Sequence, residues 1–289
     1  MQHKVISPSP WPILASAAIL CFALGIVNWL HNAWFAIYLI VTGFLCLVVI
    51  CGLWFYDAIL DDRGVTKAQY ALSDTTYRWS MFWFIFSEFW FFLAFFAVLF
   101  YSRWLTIPWL SGDIEGSELT HYLLWPSFDS AWPLLSTPDP SQVLGPENAM
   151  HAWGIPALNT GILLLSGVTI TLAHWALVQD KSRQALLWQC ATIVLGAWFL
   201  VMQFYEYGEA YHAYGLRLDS GIYGNIFYMM TGFHGLHVLL GTVMLIVVAF
   251  RMNQGHFSGH DHFAFEAASW YWHFVDVVWL LLFVFVYWL

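Results

Sequence analysis

Charged side chains are scarce in this sequence of 289 residues. Lysine and arginine together number 9, aspartate and glutamate 18, and charged residues make up 9% of the chain, against about 25% in a soluble globular domain. A water-soluble fold of this length has more surface than so few charges can cover. The scarcity therefore excludes an ordinary soluble domain. Acidic residues outnumber basic residues two to one, and this ratio excludes a nucleic-acid binder.

Cysteine is rare as well, and its spacing shows no disulfide or metal pattern. The four cysteines, Cys21, Cys46, Cys51 and Cys190, lie inside apolar runs, and none forms a CxxC pair. A disulfide framework, a zinc site or an iron–sulfur cluster built on cysteine is therefore not expected. We interpret the four as small buried hydrophobic side chains.

Apolar and aromatic residues are abundant, at 61% and 20% of the chain, with a mean hydropathy of +0.66. Seven runs reach the roughly 20 residues that a helix needs to cross a bilayer. They are residues 11–30, 33–56, 77–105, 153–178, 185–207, 223–250 and 265–289. Inside hydrocarbon such runs satisfy their backbone only as helices. The sequence thus predicts an all-α polytopic membrane protein with seven transmembrane helices.

The basic residues predict how these helices are oriented. If the N-terminus is inside, seven basic residues fall in inner segments: Lys4, Arg63, Lys67, Arg78, Lys181, Arg183 and Arg251. Two, Arg103 and Arg217, fall in outer segments. Because inner loops carry an excess of lysine and arginine, we expect the N-terminus inside and the C-terminus outside.

One connection, residues 106–152, is much longer than the others. It contains six acidic residues, six prolines and no lysine or arginine. So many prolines preclude a long helix. By the predicted orientation this segment lies outside, where its acidic charge could steer a basic soluble protein. We favour the plainer interpretation, a solvated cover over neighbouring subunits.

Glu88 is the most unusual ionisable residue within the apolar runs. It lies about eleven residues into the third run, and a rise of about 1.5 Å per residue places it near the middle of the bilayer. A lone charged carboxyl there costs several kcal/mol, so we expect Glu88 to be protonated, paired or beside water. Two roles stay open: a proton-handling or lipid-facing carboxyl, and a structural hydrogen bond to another helix.

Histidines also fall inside the spans. His234 and His237 are three residues apart on one face of the sixth run, a spacing that can serve heme or copper. Only His174 and His273 offer obvious further ligands within the membrane, so we favour hydrogen bonds between helices. For His273 and Asp276, which share a face of the seventh run, we favour a structural polar contact over a proton relay.

A polar cluster occupies the connection between the sixth and seventh runs. It comprises Arg251, His256, His260, Asp261, His262 and Glu266. We interpret it as a group that holds a phospholipid headgroup or buffers protons, in preference to a metal site. At the outer end of the fifth run, where water is near, Glu206 and Glu209 are expected to lie at the interface or to cap the next loop.

Several motifs resemble the subunit III family of heme–copper cytochrome c oxidases. The clearest are YGNIFYMMTGFHGLHVLLGT at 223–242 and FAFEAASWYWHFVDVVWL at 263–280. FIFSEFWFFLAFF at 84–96, PALNTGILLLSGVTITLAH at 156–174 and EYGEA at 206–210 resemble the third, fourth and fifth helices of the family. These segments occur in the family's order along most of the chain.

The resemblance implies a non-catalytic subunit of a proton-pumping oxidase in a bacterial inner membrane. In that family subunit III binds no heme or copper. Subunit I carries the hemes and copper, subunit II receives electrons from cytochrome c, and the complex reduces O₂ to water. Subunit III stabilises subunit I and supports proton uptake. No catalytic residue and no metal ligand is therefore expected in this chain.

The resemblance also implies a division of the chain and a lipid site. Residues 1–76 are expected to form a two-helix unit, and residues 77–289 a five-helix bundle, with a phospholipid-holding cleft between them. The family's proton-handling carboxyl falls on Glu88. Its lipid contacts fall on Trp54, Asp57, Asp61, Arg78 and Arg251. Structural polar contacts are expected at His234, His237, His273, Asp276 and Glu266.

Two other functions stay open. The first is the homologous subunit of a quinol oxidase or of a nitric-oxide-reductase cluster, although those relatives usually lack the first two helices. The second is a secondary transporter coupled through Glu88 or Asp276. Such a transporter predicts inverted repeats and helices broken at mid-span, and the sequence shows neither.

Overall fold

The computed structural model describes residues 9–61, 67–259 and 261–289, and the side chains of residues 58–73 are outside that description. Lys4, Arg63 and His260 therefore lie outside the described residues. Within the described ranges the chain is helical and has no β-strand. The helices are α1 (Trp11–Leu30), α2 (Ala36–Asp61), α3 (Lys67–Tyr101), α4 (Ile107–Leu110), α5 (Glu118–Leu124), α6 (Ile155–Val178), α7 (Ser182–Ala213), α8 (Ile222–Asn253) and α9 (Phe263–Leu282).

Seven helical segments are long and apolar enough to cross a membrane, which confirms the predicted number of spans. They are Trp11–Leu30, Ala36–Asp57, Asp74–Leu110, Ile155–Val178, Ser182–Ala213, Ile222–Asn253 and Phe263–Trp288. The third and seventh include π-helical turns at Ser102–Thr106 and Phe283–Trp288.

Some helices are longer than the apolar runs that predicted them. The third begins at Lys67, ten residues before the predicted start at 77, and α7 continues to Ala213, beyond the predicted end at 207. Hydropathy marks only the stretch of a helix that lies in hydrocarbon. The added residues include good helix formers such as Lys67, Ala68 and Gln69, so the helix continues into the polar interface.

The connection of residues 106–152 contains two short helices, α4 and α5, and both lie in its first half. Its longest, α5, has 7 residues, in keeping with its many prolines. Asp113 ties the stretch before α5 to the stretch after it: its carboxylate accepts hydrogen bonds from the hydroxyl of Ser130 and from Ser111 Oγ at 2.7 Å. These donors, Ser130 foremost, lower the pKa of Asp113 below its ordinary value. The carboxylate therefore stays charged and keeps accepting both bonds.

The chain divides into two compact units, Met1–Thr76 and Tyr77–Leu289. In the first unit, α1 and α2 pack closely because glycines face the partner backbone. A Cβ at Gly25 would lie 2.7 Å from the backbone nitrogen of Ile40, and one at Gly43 would lie 2.5 Å from that of Phe22. Small residues at such crossings let helices approach in the absence of a hydrophobic driving force.

In the second unit, α9 is tied to α6 by two buried tryptophans. Trp272 Nε1 donates to Ser166 Oγ at 2.8 Å, and Trp279 Nε1 donates to Thr160 Oγ1 at 3.0 Å. Both indole rings are fully buried, so each N–H needs such a partner. The two bonds fix the register of α9 on α6.

The ring of Trp272 also fills a space left by glycines of α7 and α8. A Cβ at Gly196 would lie 2.5 Å from Trp272 Cη2, and one at Gly241 would lie 3.0 Å from Trp272 Cε3. The missing side chains thus make room for the indole ring of Trp272.

None of the four cysteines has the burial that was predicted. Cys46 and Cys190 are exposed, whereas Cys21 and Cys51 are half-buried. The prediction was wrong because the outside of a membrane span meets lipid. An apolar thiol is as acceptable against lipid tails as in the protein interior.

Replacement of Gly196 by alanine should destabilise the second unit. The added methyl would meet the Trp272 ring, and overpacking of this kind costs about 1–3 kcal/mol. Thermal melting of the purified protein measures the loss. Gly235→Ala is the matched control, because nothing lies within 4 Å of a Cβ at that position of α8. Equal melting temperatures for the two variants would contradict the packing described here.

Candidate functional site

Glu88 of α3 forms a hydrogen-bonded pair with His237 of α8. Glu88 Oε2 lies 2.7 Å from His237 Nε2, and the two side chains are 21% and 11% exposed. The pair connects helices separated by 149 residues in sequence. The structure thus unites the carboxyl that the sequence singles out with one member of the predicted histidine pair.

The other ring nitrogen of His237 determines how protons are distributed in this pair. Nδ1 lies 2.7 Å from the carbonyl oxygen of Phe233, and because a carbonyl only accepts, Nδ1 carries a proton. The bond between Nε2 and Glu88 therefore holds one further proton, either on the carboxyl or on the imidazole. A carboxyl and an imidazole arranged in this way can exchange that proton without moving apart.

Aromatic rings surround the pair. The imidazole of His237 lies 5.0 Å from the ring of Phe92 and 6.4 Å from that of Tyr271, measured between ring centroids. Tyr271 also donates its hydroxyl to the carbonyl of His237 at 3.4 Å. These rings limit the access of water, so the hydrogen bond lies in a medium of low dielectric.

His234 faces a different region of the bundle. Its Nε2 lies 3.1 Å from the carbonyl of Val275 on α9, to which it donates. The ring is fully buried, with Trp279 at 5.1 Å, and its Nδ1 has no hydrogen-bond partner among the described residues. Although His234 and His237 share a helix, they turn their nitrogens to different neighbours.

His273 and Asp276 lie together beside α6, in a groove of about 430 Å³ that Gly167 and Thr171 also line. His273 Nε2 is 3.4 Å from Thr171 Oγ1. Asp276 is 7% exposed, and its Oδ1 has no hydrogen-bond partner within the ranges that the structure describes. A buried carboxyl oxygen without a partner costs free energy, so Asp276 holds an unsatisfied acceptor beside this groove.

Glu206 is a buried carboxyl whose position differs from the one predicted. It was expected at the interface, but it is fully buried and accepts a hydrogen bond from the hydroxyl of Tyr287 at 2.6 Å. The expectation was wrong because α7 continues to Ala213, which places Glu206 two turns inside the helix. The polar sequence after 207 concealed that continuation.

The predicted lipid contacts fall in both units. In the first, Asp57 accepts a hydrogen bond from Trp11 Nε1 at 2.9 Å, and Trp54 is 38% exposed. The side chain of Asp61 lies outside the description.

In the second unit, Arg78 forms an ion pair with Glu266, and its guanidinium lies 5.0 Å from the ring centroid of Phe263. Arg251 lies 4.9 Å from the ring centroid of Phe257, and its buried Nε has no hydrogen-bond partner in the described ranges.

The seven apolar helices, with ionisable side chains engaged by other helices, define a multi-pass membrane protein of the helical-bundle class. The sequence profile of the family "Cytochrome c oxidase subunit III" matches residues 1–111 and 121–289. The chain belongs to the cytochrome c oxidase subunit III family, as its motifs predicted.

Individual relatives agree with this assignment over almost their full length. "Cytochrome c oxidase subunit 3" of Chondrus crispus is 39% identical over 284 residues, which cover 98% of this chain and 92% of the relative. "Probable cytochrome c oxidase subunit 3" of Rickettsia felis is 38% identical, with 98% and 93% covered. "Cytochrome c oxidase subunit 3" of Anopheles gambiae is also 38% identical, over 98% of this chain and 95% of the relative.

The Glu88–His237 bond should contribute measurably to stability. Glu88→Leu leaves His237 Nε2 buried without a partner, at a cost of about 1–3 kcal/mol. Glu88→Gln should cost less, because its amide can donate to the same nitrogen. Thermal melting of both variants gives the comparison. If the leucine variant melts at or above the temperature of the glutamine variant, the bond does not hold α3 to α8.

Proposed function

We propose that this chain is the non-catalytic subunit III of a proton-pumping cytochrome c oxidase in a bacterial inner membrane. As a family member it belongs to an oxidase complex with other subunits, and the Rickettsia felis relative supports a bacterial setting. Subunit I supplies the hemes and copper, subunit II receives electrons from cytochrome c, and O₂ is reduced to water. This chain stabilises subunit I and supports proton uptake.

The observation that carries the proposal is the 2.7 Å bond between Glu88 and His237. It retains one proton between a carboxyl and an imidazole inside an apolar helix bundle, where ionisable residues are functional candidates. That proton can lie on the carboxyl or on the imidazole, and the two partners stay hydrogen-bonded in both forms. Glu88 is thus the proton-handling group of this subunit, with His237 as its partner.

The engagement of His234 and His237 supports a role without heme or copper of its own. His237 uses both ring nitrogens, on Glu88 and on the Phe233 carbonyl, and His234 directs Nε2 to the Val275 carbonyl. The two rings therefore do not converge on a common ligand position, as a heme or copper centre needs. The hemes and copper belong to the partner subunits.

The groove at Asp276 supports a docking face for subunit I. Its lining is apolar apart from a few residues such as Thr171, His273 and Asp276. A transmembrane helix seated there would bury the apolar walls and lie beside the polar side chains of Thr171 and His273. In lipid, interhelical hydrogen bonds and close packing are the main sources of affinity.

Both units of the chain carry proposed lipid contacts. In this proposal the subunit holds structural phospholipids, as the family does, with the N-terminus inside and the C-terminus outside. The lipid contacts proposed from the family are Trp54, Asp57 and Asp61 in the first unit and Arg78 and Arg251 in the second. Arginine near the inner surface attracts anionic headgroups.

Purification of the affinity-tagged chain in mild detergent tests the proposed function. It should bring two larger subunits, heme absorption and cyanide-sensitive O₂ consumption with reduced cytochrome c. O₂ consumption with quinol alone would assign the chain to the quinol-oxidase branch instead. A colourless chain that purifies by itself would refute the oxidase proposal and favour a carboxyl-coupled transporter.

Arg251→Gln should reduce the phospholipid that co-purifies with the complex. The substitution removes the positive charge of a residue that the proposal places at the lipid site, so a phosphate loses its counter-charge. Phospholipid phosphorus per complex measures the effect. Arg217→Gln is the control, because Arg217 belongs to the predicted outer side and lies 4.7 Å from the ring centroid of Tyr211. Equal lipid content in both variants would remove Arg251 from the lipid site.

A further inference from the structure

A second group of polar side chains lies where α6 ends and α9 begins. His174 is on the last turns of α6, His262 immediately precedes α9, and Glu266 is on the first turn of α9. Their ligand atoms all lie within 4.8 Å of one another. No sequence motif announces the group, because His174 and His262 are separated by 88 positions.

Two of the three distances are those of a metal coordination shell. His174 Nε2 lies 3.2 Å from His262 Nε2, and His262 Nε2 lies 3.1 Å from Glu266 Oε1. In a tetrahedral zinc site with metal–ligand bonds near 2.0–2.1 Å, neighbouring ligand atoms are about 3.3 Å apart. The side chains therefore need little movement to meet around one ion.

Neighbouring groups direct His262 Nε2 and Glu266 Oε1 towards the position that the ion would occupy. His262 Nδ1 lies 3.0 Å from the carbonyl of Ser258 and donates to it, so its Nε2 can offer a lone pair towards His174. Arg78 binds Oε2 of Glu266, which leaves Oε1 directed at His262. A backbone carbonyl on the far nitrogen of a histidine is the usual support for a metal ligand.

The burial of the group suits a bound ion. His262 is 8% exposed, the side chain of Glu266 is 15% exposed, and the ring of His174 stacks on Phe265 at 5.6 Å between centroids. Packing of this kind restricts the rotamers of the ligands. A preorganised set of two imidazoles and one carboxylate selects first-row transition ions over Mg²⁺ or Ca²⁺, which prefer oxygen ligands.

From this arrangement we infer that His174, His262 and Glu266 form a binding site for a divalent transition-metal ion of the Zn²⁺ type. The ion joins the end of α6, the connection before α9 and the first turn of α9, and its fourth position is open to water. The site departs from the sequence expectation of no metal ligand in this chain. It is separate from the Glu88–His237 pair and does not depend on the proposed oxidase function.

Zinc titration of the assembly in which the tagged chain purifies tests the inference. After treatment with a chelator, bound zinc is counted by mass spectrometry for the wild type and for His174→Gln. The variant should bind one zinc fewer per chain, with affinity for that ion reduced more than about 100-fold, because even the loss of a supporting outer-shell group costs 10–100-fold.

His256→Gln is the matched control, because His256 is an exposed histidine of the same connection. It should bind as much zinc as the wild type. Equal zinc content in the wild type and His174→Gln would overturn the inference, as would an equal loss in both variants.

A crystal of the wild-type assembly soaked in Zn²⁺ gives a second measurement that does not depend on the folding of any variant. An anomalous difference peak at the zinc edge is expected between His174 Nε2, His262 Nε2 and Glu266 Oε1. Absence of that peak at a zinc concentration that fills other sites would equally overturn the inference.

Discussion

The hydrogen bond between Glu88 and His237 determines how α3 meets the rest of its unit. On either side of this bond, α3 presents aromatic rings: Phe91 lies 5.2 Å from Phe233, and Phe84 lies 6.0 Å from Tyr271, between centroids. Ring contacts tolerate small shifts along a helix, whereas a carboxyl in hydrocarbon must find its partner. The polar bond therefore selects the register, and the rings fill the space around it.

Hydrogen bonds between polar side chains also join other helices of the second unit. In lipid the helices gain no hydrophobic free energy by meeting, so hydrogen bonds and close packing decide which faces associate. Tyr207 and Thr231 join α7 to α8 through their hydroxyls at 2.7 Å, and Tyr287 reaches Glu206 of α7. Few polar residues lie inside the spans, and several of them connect one helix to another. This explains how so few charged residues can specify a bundle.

The fold was largely predictable from the sequence because the membrane imposes a length on each apolar run. All seven spans followed from runs of about 20 apolar residues, and α1 has the predicted bounds, Trp11–Leu30. Helix ends were less predictable, as the early start of α3 at Lys67 shows. Polar helix formers extend a helix without altering the apolar run.

The candidate site was predictable only to a limited extent. Glu88 stood out because a carboxyl in the middle of a span is costly. Its bond to His237, and the approach of His174 to His262, depend on which faces of distant helices meet, and periodicity within one helix does not contain that information. Glu206 was misplaced for a related reason: its burial depends on the length of α7 and on Tyr287, 81 positions away.

Glu88 and His237 are proposed to act as one proton-sharing unit, and the function of the subunit depends on that pairing. A double-mutant cycle with Glu88→Gln, His237→Gln and the combined variant tests it, with the number of turnovers before inactivation as the readout and heme absorption as the control for assembly. If the two residues are one unit, the double variant loses no more than the more damaging single variant, and heme content is unchanged. Losses that add independently would contradict a shared role.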